Sequence, residues 1–400
     1  VSIYTDPEMQ GSKVQIFIKR AAFPQQLANT VAGETLNIIQ AYVSSMENGR
    51  LQEIAMQPDA PFLSAGMATG DVIGIIPTLN ATAFVVSTQD GKINRGFEAI
   101  YTEMERLRRH GFTQSEFERT QKNLLRSVER SYTNRNDRYN GSFVQTYLSN
   151  FQKNTPMPDA QTEWQLDSML ICSINVDMVN DFATKTLTEN NQVIAVTAPE
   201  KEGLANPSAE ELLAIRDKVI ASEIDPYEDN VVKEPLIPEG TQLKGSRVKK
   251  THVDKLFGTT EWTLANGVKI VVKPTTFKAD EVLMSAVAKG GLSLLSNEDY
   301  YMGSIMPAIN LMSGVGKFST TELRKQLSGK AASVAPSVSN YNSSMSGSAS
   351  PKDLETMLQL LYLHFTQPRF DRTDYDKLMT MFRASLANSE SDPDFQLQTH

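Results

Sequence analysis

The chain has 400 residues and a net charge of −8, from 39 Lys+Arg against 47 Asp+Glu. With 40% hydrophobic and 22% charged residues it falls in the globular range, which excludes a disordered or collagen-like chain; its length suits about two to four domains. No apolar run approaches the roughly 20 residues of a membrane helix, and the acidic balance argues against a nucleic-acid partner, which needs a basic surface.

The first region, residues 1–198, opens with alternating Val14, Ile16 and Ile18, a half-buried strand. A helical pattern runs from Leu27 to Ile54. Strands are expected at Phe62–Met67, Val72–Ile76 and Ala83–Val86. Phe97, Ile100, Tyr101, Met104 and Leu107 then share one helix face, and Gly111 ends that helix after a basic last turn. Thr113-Gln114-Ser115-Glu116 is a capping box, opening a helix to about Ser131. Helical stretches follow at 142–151 and 160–171. Asn175 caps another, Val176 to Leu187, and Gln192–Thr197 closes the region as a strand.

Residues 199–257 read as a connector, rich in proline and acid: Pro199, Pro207, Pro226, Pro235, Pro238 and the cluster Asp225-Pro226-Tyr227-Glu228-Asp229. Ser208 caps a short helix there, and the rest is expected to run extended over the surface.

The second region, residues 258–400, begins with a hairpin in which Asn266-Gly267 turns between Trp262–Ala265 and Val268–Val272. A strand at 282–287, helices at 298–312 and 320–328, and strands at 332–337 and 344–349 follow. Pro351 starts a helix with Leu354, Met357, Leu358, Leu361 and Phe365 on one face, and 371–389 is a last helix. Hairpin-linked strands with paired helices make an α+β pattern rather than a doubly wound sheet.

One cysteine, Cys172, excludes an intrachain disulfide; in its apolar setting it reads as a small buried hydrophobe, not a nucleophile. The four histidines, His110, His252, His364 and His400, include no pair one helical turn apart, the local arrangement a catalytic zinc uses. Ser313-Gly314-Val315-Gly316-Lys317-Phe318 hints at a phosphate loop, but Leu311 and Phe318 stand where Gly and Ser/Thr are needed, so a helix–helix turn is expected. Ser246-Arg247-Val248-Lys249 has the spacing of an acylating serine without its partner motifs. The basic helix end Arg106, Arg108, Arg109 and His110 suits the helix dipole, and Arg247, Lys249, Lys250 and Lys255 suit a solvated face. No catalytic, cofactor-binding or metal-binding residue is assigned.

Taken together, Thr5-Asp6-Pro7-Glu8, Asn48-Gly49-Arg50-Leu51-Gln52-Glu53-Ile54, Gly111-Phe112-Thr113 and Ile174-Asn175-Val176-Asp177 resemble the second domain of the pitrilysin/insulinase zinc metallopeptidases. Glu261–Val268, Ser348–Glu355 and Thr366-Gln367-Pro368-Arg369-Phe370 resemble the third. The resemblance covers essentially the whole chain. It implies two homologous α+β domains, each a largely antiparallel sheet covered by helices: a second-domain-like unit at 1–198, the interhalf linker at 199–257, and a third-domain-like unit at 258–400, inactive and truncated. Truncation would leave apolar surface and an unfilled sheet position, since further helices and a strand are expected after Asp392-Pro393-Asp394. The start at Val1, without initiator Met or leader, reads as a processed form or fragment.

The family's chemistry rests on His-x-x-Glu-His, in which two histidines hold zinc and the Glu acts as base. That motif is absent here; the equivalent stretch, Tyr300–Asn310, holds no His. The resemblance therefore implies a non-catalytic segment, forming chamber wall and hinge, of a zinc metalloendopeptidase that degrades peptides in a closed chamber. This segment would hold no cofactor, with zinc in the parent's first domain. Its partners would be peptide or unfolded polypeptide and the rest of the parent chain, with no nucleic acid and no membrane span. A bacterial periplasm or envelope location is favoured. The alternative is an inactive homologue acting as a peptide-binding or assembly module. An independent hydrolase using Ser246 or Cys172 is a third, weaker reading.

Overall fold

The computed structural model describes residues 1–71, 78–232, 234–389 and Leu397. The strand expected at Val72–Ile76 and the segment Asp392–Asp394 lie outside them. In the first unit the elements are β1 (Ser2–Asp6), β2 (Ser12–Ala21), α1 (Gln25–Ala28), α2 (Val31–Ala55), β3 (Ser64–Gly70) and β4 (Leu79–Thr88). They are followed by α3 (Ile93–His110), α4 (Gln114–Thr133), α5 (Asn140–Lys153), α6 (Ala160–Ser173), α7 (Val176–Thr186) and β5 (Gln192–Pro199). The five strands form one sheet in the order β1-β5-β2-β4-β3. All neighbours are antiparallel except β1 and β5.

Strand β2 forms where the alternation places it. Val14, Ile16 and Ile18 are buried, and Val14 stands opposite Val86, Ile16 opposite Phe84. A slip of one residue would turn all three to solvent, so burial fixes the register. The helical pattern from Leu27 is broken at Thr30, whose hydroxyl accepts the Gly33 amide and opens α2 as a separate helix. The α3 face is buried at all five expected positions. Gly111, at φ 67°, ends α3, and a side chain there would run into Asn180. That Asn180 amide group clasps the Phe112 backbone, accepting its N–H and donating to its carbonyl. The capping boxes of Thr113 and Ser208 and the Asn175 cap are all formed. Strand β1 carried no sequence signal because it lies at the sheet edge and alternates no apolar residues.

The stretch between the units carries the short helix expected after Ser208 and one strand that was not expected. Helix α8 (Ala209–Ala221) packs Leu212 and Val219 into the first core beside α3. Further on, β6 (Val248–Asp254) joins β7 (Thr259–Leu264) and β8 (Lys269–Val272) in a three-stranded antiparallel sheet, order β6-β7-β8. Most of β6 is exposed. Ladder bonds rather than burial hold it, so its hydrophobic pattern is silent.

The second unit continues with β9 (Val282–Lys289), α9 (Tyr300–Ser313), α10 (Thr320–Gln326), β10 (Ala332–Val338), β11 (Asn342–Ala349), α11 (Leu354–Thr366) and α12 (Arg372–Ser389). Its sheet has the order β10-β11-β9, all antiparallel. The path repeats the first unit: β11 lies between β9 and β10 as β4 lies between β2 and β3. Likewise α9 packs on β10 as α2 does on β3, and α12 meets α9 as α4 meets α2. The fold is α+β, with one core in each unit. The α11 face named from the sequence is split: Met357 is buried with Leu360 and Leu363 and Leu361 packs against the same core, whereas Leu354, Leu358 and Phe365 are exposed. The helix is apolar on more than one side, so periodicity alone does not single out the buried stripe.

Candidate functional site

The most highly organised polar region is the junction where α2, the connector and α10 meet. Arg50, on α2, is buried. Its Nε donates to Glu116 Oε1 at 2.7 Å and its Nη2 to Glu116 Oε2 at 2.9 Å, a two-pronged pair. Nη1 reaches Glu103 Oε1 at 3.4 Å and Nη2 also donates to the Gly111 carbonyl. The guanidinium is sandwiched between the rings of Phe112 and Tyr227, 4.9 and 4.4 Å from their centroids. Burial alone would lower the Arg50 pKa; the bonds from Glu116 outweigh it and leave the pKa raised. One turn earlier, the Glu47 carboxylate is fully buried and neither oxygen has a hydrogen-bond partner. Burial pushes it up to about 8, so it carries a proton at neutral pH.

Tyr227 extends this cluster to the second unit. Its hydroxyl donates to Glu53 Oε2 at 2.7 Å and accepts from Lys325 Nζ, on α10, at 3.1 Å. Lys325 also pairs with Glu53 and Asp229. Asp229 takes both prongs of Arg119 and the Ser115 hydroxyl. Burial would raise Asp229, but the bonds from Arg119, Ser115 and Lys325 hold it at about 2. Burial, followed by the bond to Glu53, pushes the Tyr227 phenol up.

Further polar contacts link the units. Arg126 pairs with Asp280, Lys352 with Glu129, Arg324 with Gln52, and Lys377 donates to the Ala55 carbonyl. A cleft of about 380 Å³ separates Asp59, Pro61, Lys92 and Arg95 from Asp376 and Lys377 of α12. The basic end of α3 does more than answer its own dipole. Arg109 donates to the Ile220 and Ser222 carbonyls at the end of α8, Arg106 to the Asp225 carbonyl, and His110 meets the Ile224 carbonyl. These groups fasten the connector to the first unit.

The residues weighed for chemistry are dispersed. Cys172 is exposed, not buried: Leu170 and Ile171 take the core positions of α6, so the next residue turns outward. The Ser246 hydroxyl accepts the Asn266 amide and Lys249 is exposed on β6, so they form no catalytic pair. Gly314 and Gly316, at φ 87° and 59°, make the helix–helix turn, with Val315 and Phe318 buried beneath it. Arg247, Lys249, Lys250 and Lys255 are exposed. Within the Tyr300–Asn310 stretch, Asn310 bonds His364 Nδ1 at 3.0 Å and donates to the Arg369 carbonyl. Burial lowers the His364 pKa. Among the described residues no group of three or more His, Cys, Asp or Glu is arranged to hold a metal ion. No described helix is long and apolar enough to cross a membrane.

The junction's key residues carried little signal in the sequence. Glu116 reads as a cap, and it also holds Arg50. Tyr227, one aromatic among three acids and a proline, was the available clue.

No family model matches the chain. An Arabidopsis thaliana protein named zinc protease PQQL-like is 23% identical over 395 residues, 98% of this chain and 35% of that protein. The probable zinc protease PqqL of Escherichia coli is 23% identical over 80% of this chain and 34% of its own length. Among solved structures, the ferredoxin protease FusC in complex with Arabidopsis ferredoxin superposes with a TM-score of 0.61 at 16% identity, covering 99% of this chain and 44% of that one. Pitrilysin superposes with a TM-score of 0.53 at 12% identity, over 95% of this chain and 39% of that one. The chain resembles the pitrilysin/insulinase zinc proteases. The periplasmic protease PqqL from Escherichia coli shares the fold with a TM-score of 0.51 at 17% identity, over 99% of this chain and 43% of its own. This pitrilysin-like chain thus spans about a third of the length of the curated relatives it matches.

Proposed function

We propose that this pitrilysin-like chain is a non-catalytic segment of a zinc metalloendopeptidase. It contributes one unit, 1–198, resembling the second domain of such enzymes, the linker 199–257, and the beginning of a third-domain-like unit, 258–400. Its work is to form wall and hinge of a chamber that takes peptide or unfolded polypeptide. Zinc is expected in the parent's first domain rather than here, and the periplasm or cell envelope is the expected compartment.

The observation that carries this reading is the connector's double attachment. Tyr227 and Asp229 are bonded to the first unit through Glu53, Arg119 and Ser115, and to the second through Lys325. A linker seated on both units by directional, charged bonds can transmit a change of angle between them. Shortening the connector by residues 239–245 in the intact protein tests this: altered turnover supports the hinge, and unchanged kinetics contradict it. The coding sequence upstream tests the rest. A His-x-x-Glu-His there supports the protease reading; its absence favours a peptide-binding or assembly module.

A further inference from the structure

The helical layer of the first unit holds a cleft of about 260 Å³ where α2, α4 and α6 meet. Two facing helix stripes build most of it. Leu124, Val128 and Tyr132 of α4 line one side, and Trp164, Asp167 and Ile171 of α6 line the other. Each set is spaced by three or four residues, so it shares one helix face. A stripe that only packs on neighbouring helices is apolar, and Asp167 interrupts this one with a carboxylate.

Asp167 is half-buried, and no hydrogen bond or opposite charge among the described residues answers it. Its charged neighbours are Glu34 on α2 and Glu163 on α6; burial first, and these two like charges after it, push Asp167 up to about 6. Arg138, the cation in the lining, is already engaged, donating to Glu163 Oε2 at 3.1 Å and to the Ser131 hydroxyl at 3.2 Å. Helix α4 brings no charged side chain to the lining. The aromatic part of the wall is Tyr132 stacked on Trp164, with ring centroids 4.9 Å apart and 16° between the planes. The guanidinium of Arg135, outside the lining, lies 4.3 Å from the Tyr132 centroid, so this pair already accepts one cation.

We propose that the cleft is a binding site for an organic cation, a protonated amine or guanidinium on a short apolar body, with its charge on Asp167 and its body against Trp164 and Val128. A carboxylate and an indole are the two side chains that hold such a group best, one by a charge-assisted hydrogen bond and the other by its ring face. A cation relieves the crowding of Asp167 with Glu34 and Glu163, whereas an anion is repelled by all three and a neutral group leaves the crowding as it was. Sites for drug-sized ligands run to roughly 300–1,000 Å³, so this smaller cleft takes a group of side-chain size. Packing alone does not call for Asp167, since an uncharged residue there would remove the like-charge cost. Two sources carry this chemistry, a free amine and a Lys or Arg side chain of a polypeptide. The site stands apart from the connector and from the hinge proposed for it.

The test uses this chain labelled with 15N-tryptophan. Its two tryptophans, Trp164 and Trp262, give two indole signals, and the signal lost in Trp164→Phe is that of Trp164. The probes are phenethylammonium, its neutral analogue 2-phenylethanol, and the peptide Gly-Gly-Lys-Gly-Gly. The expected result is a saturable shift of the Trp164 signal alone with phenethylammonium or the lysine peptide, and none with 2-phenylethanol at the same concentration. Asp167→Asn, a change of equal size, is expected to weaken binding about tenfold, with a melting temperature unchanged or raised because a like charge is gone. Binding is also expected to weaken as pH falls through about 6, where Asp167 takes up a proton. Tighter binding of the peptide assigns the cation to a polypeptide side chain; binding of phenethylammonium without the peptide assigns it to a free amine, and either result supports the site. No Trp164 shift with either cation up to about 10 mM, an equal shift with 2-phenylethanol, or unchanged affinity in Asp167→Asn overturns it.

Discussion

The guanidinium of Arg50 stands 4.4 Å from the centre of the Tyr227 ring, so the connector's only aromatic residue between 222 and 232 closes over a buried cation of the first unit. One face of that ring completes the packing of the first unit, and its hydroxyl bonds to the Lys325 ammonium of the second. Core integrity and inter-unit geometry therefore share a residue.

Arg50→Ala leaves the Glu116 carboxylate buried without its charged partner, while Glu103 keeps Arg106. Breaking a buried pair from one side costs about 3–5 kcal/mol. Urea unfolding of the first unit is expected to shift by that amount. Arg50→Lys is expected to rescue only part of it, because an ammonium cannot make the two-pronged bond to Glu116. A loss below 1 kcal/mol for Arg50→Ala would show that the cluster relaxes freely.

Glu47 makes stability fall as pH rises. Its folded-state pKa lies near 8 against an ordinary 4.5. Between those values the folded chain holds a proton that the unfolded chain has lost, and stability declines with pH across that window. Glu47→Gln removes the titration. Thermal melts of the two proteins should therefore diverge between pH 5 and 8, with the variant the more stable at pH 8. Parallel pH profiles would contradict the assignment.

Tyr227→Phe keeps the ring on Arg50 and deletes the bonds to Glu53 and Lys325. Global stability should drop by only about 1 kcal/mol, while hydrogen exchange in α10 accelerates. Acid should act on the same junction. Asp229 is held near 2 against an ordinary 3.8. Its contribution is complete above the higher value and is lost as pH falls through the lower one. Unchanged exchange in α10 for both perturbations would remove the junction from the hinge.

Exposure of the Cys172 thiol predicts one equivalent of rapid reaction with a maleimide in native buffer, and little change in stability for Cys172→Ser. Labelling that required denaturant would return the residue to the core.

Much of this fold is legible in the sequence because its signals are local. Thr113–Glu116, Ser208–Glu211 and Asn175 announce helix starts by chemistry that acts within one turn, and Val14, Ile16 and Ile18 show their buried face directly. What stayed hidden depends on distant partners. Strand β6 exists because β7 offers it an edge, and Arg50 finds its neighbours at Glu103, Glu116 and Tyr227 across the chain. Cys172 illustrates the limit of composition: an apolar neighbourhood in sequence placed Leu170 and Ile171 inside and the thiol outside. The resemblance to zinc proteases supplied an expected domain order that no local pattern encodes.

The most direct measurement is hydrolysis of a quenched-fluorescent peptide by this purified chain, with and without a chelator. The account predicts no turnover in either condition, since it places the zinc in the parent's first domain rather than in this chain. Turnover abolished by the chelator would mean that separated side chains assemble a metal site in this chain, and would contradict its reading as the non-catalytic part of a protease.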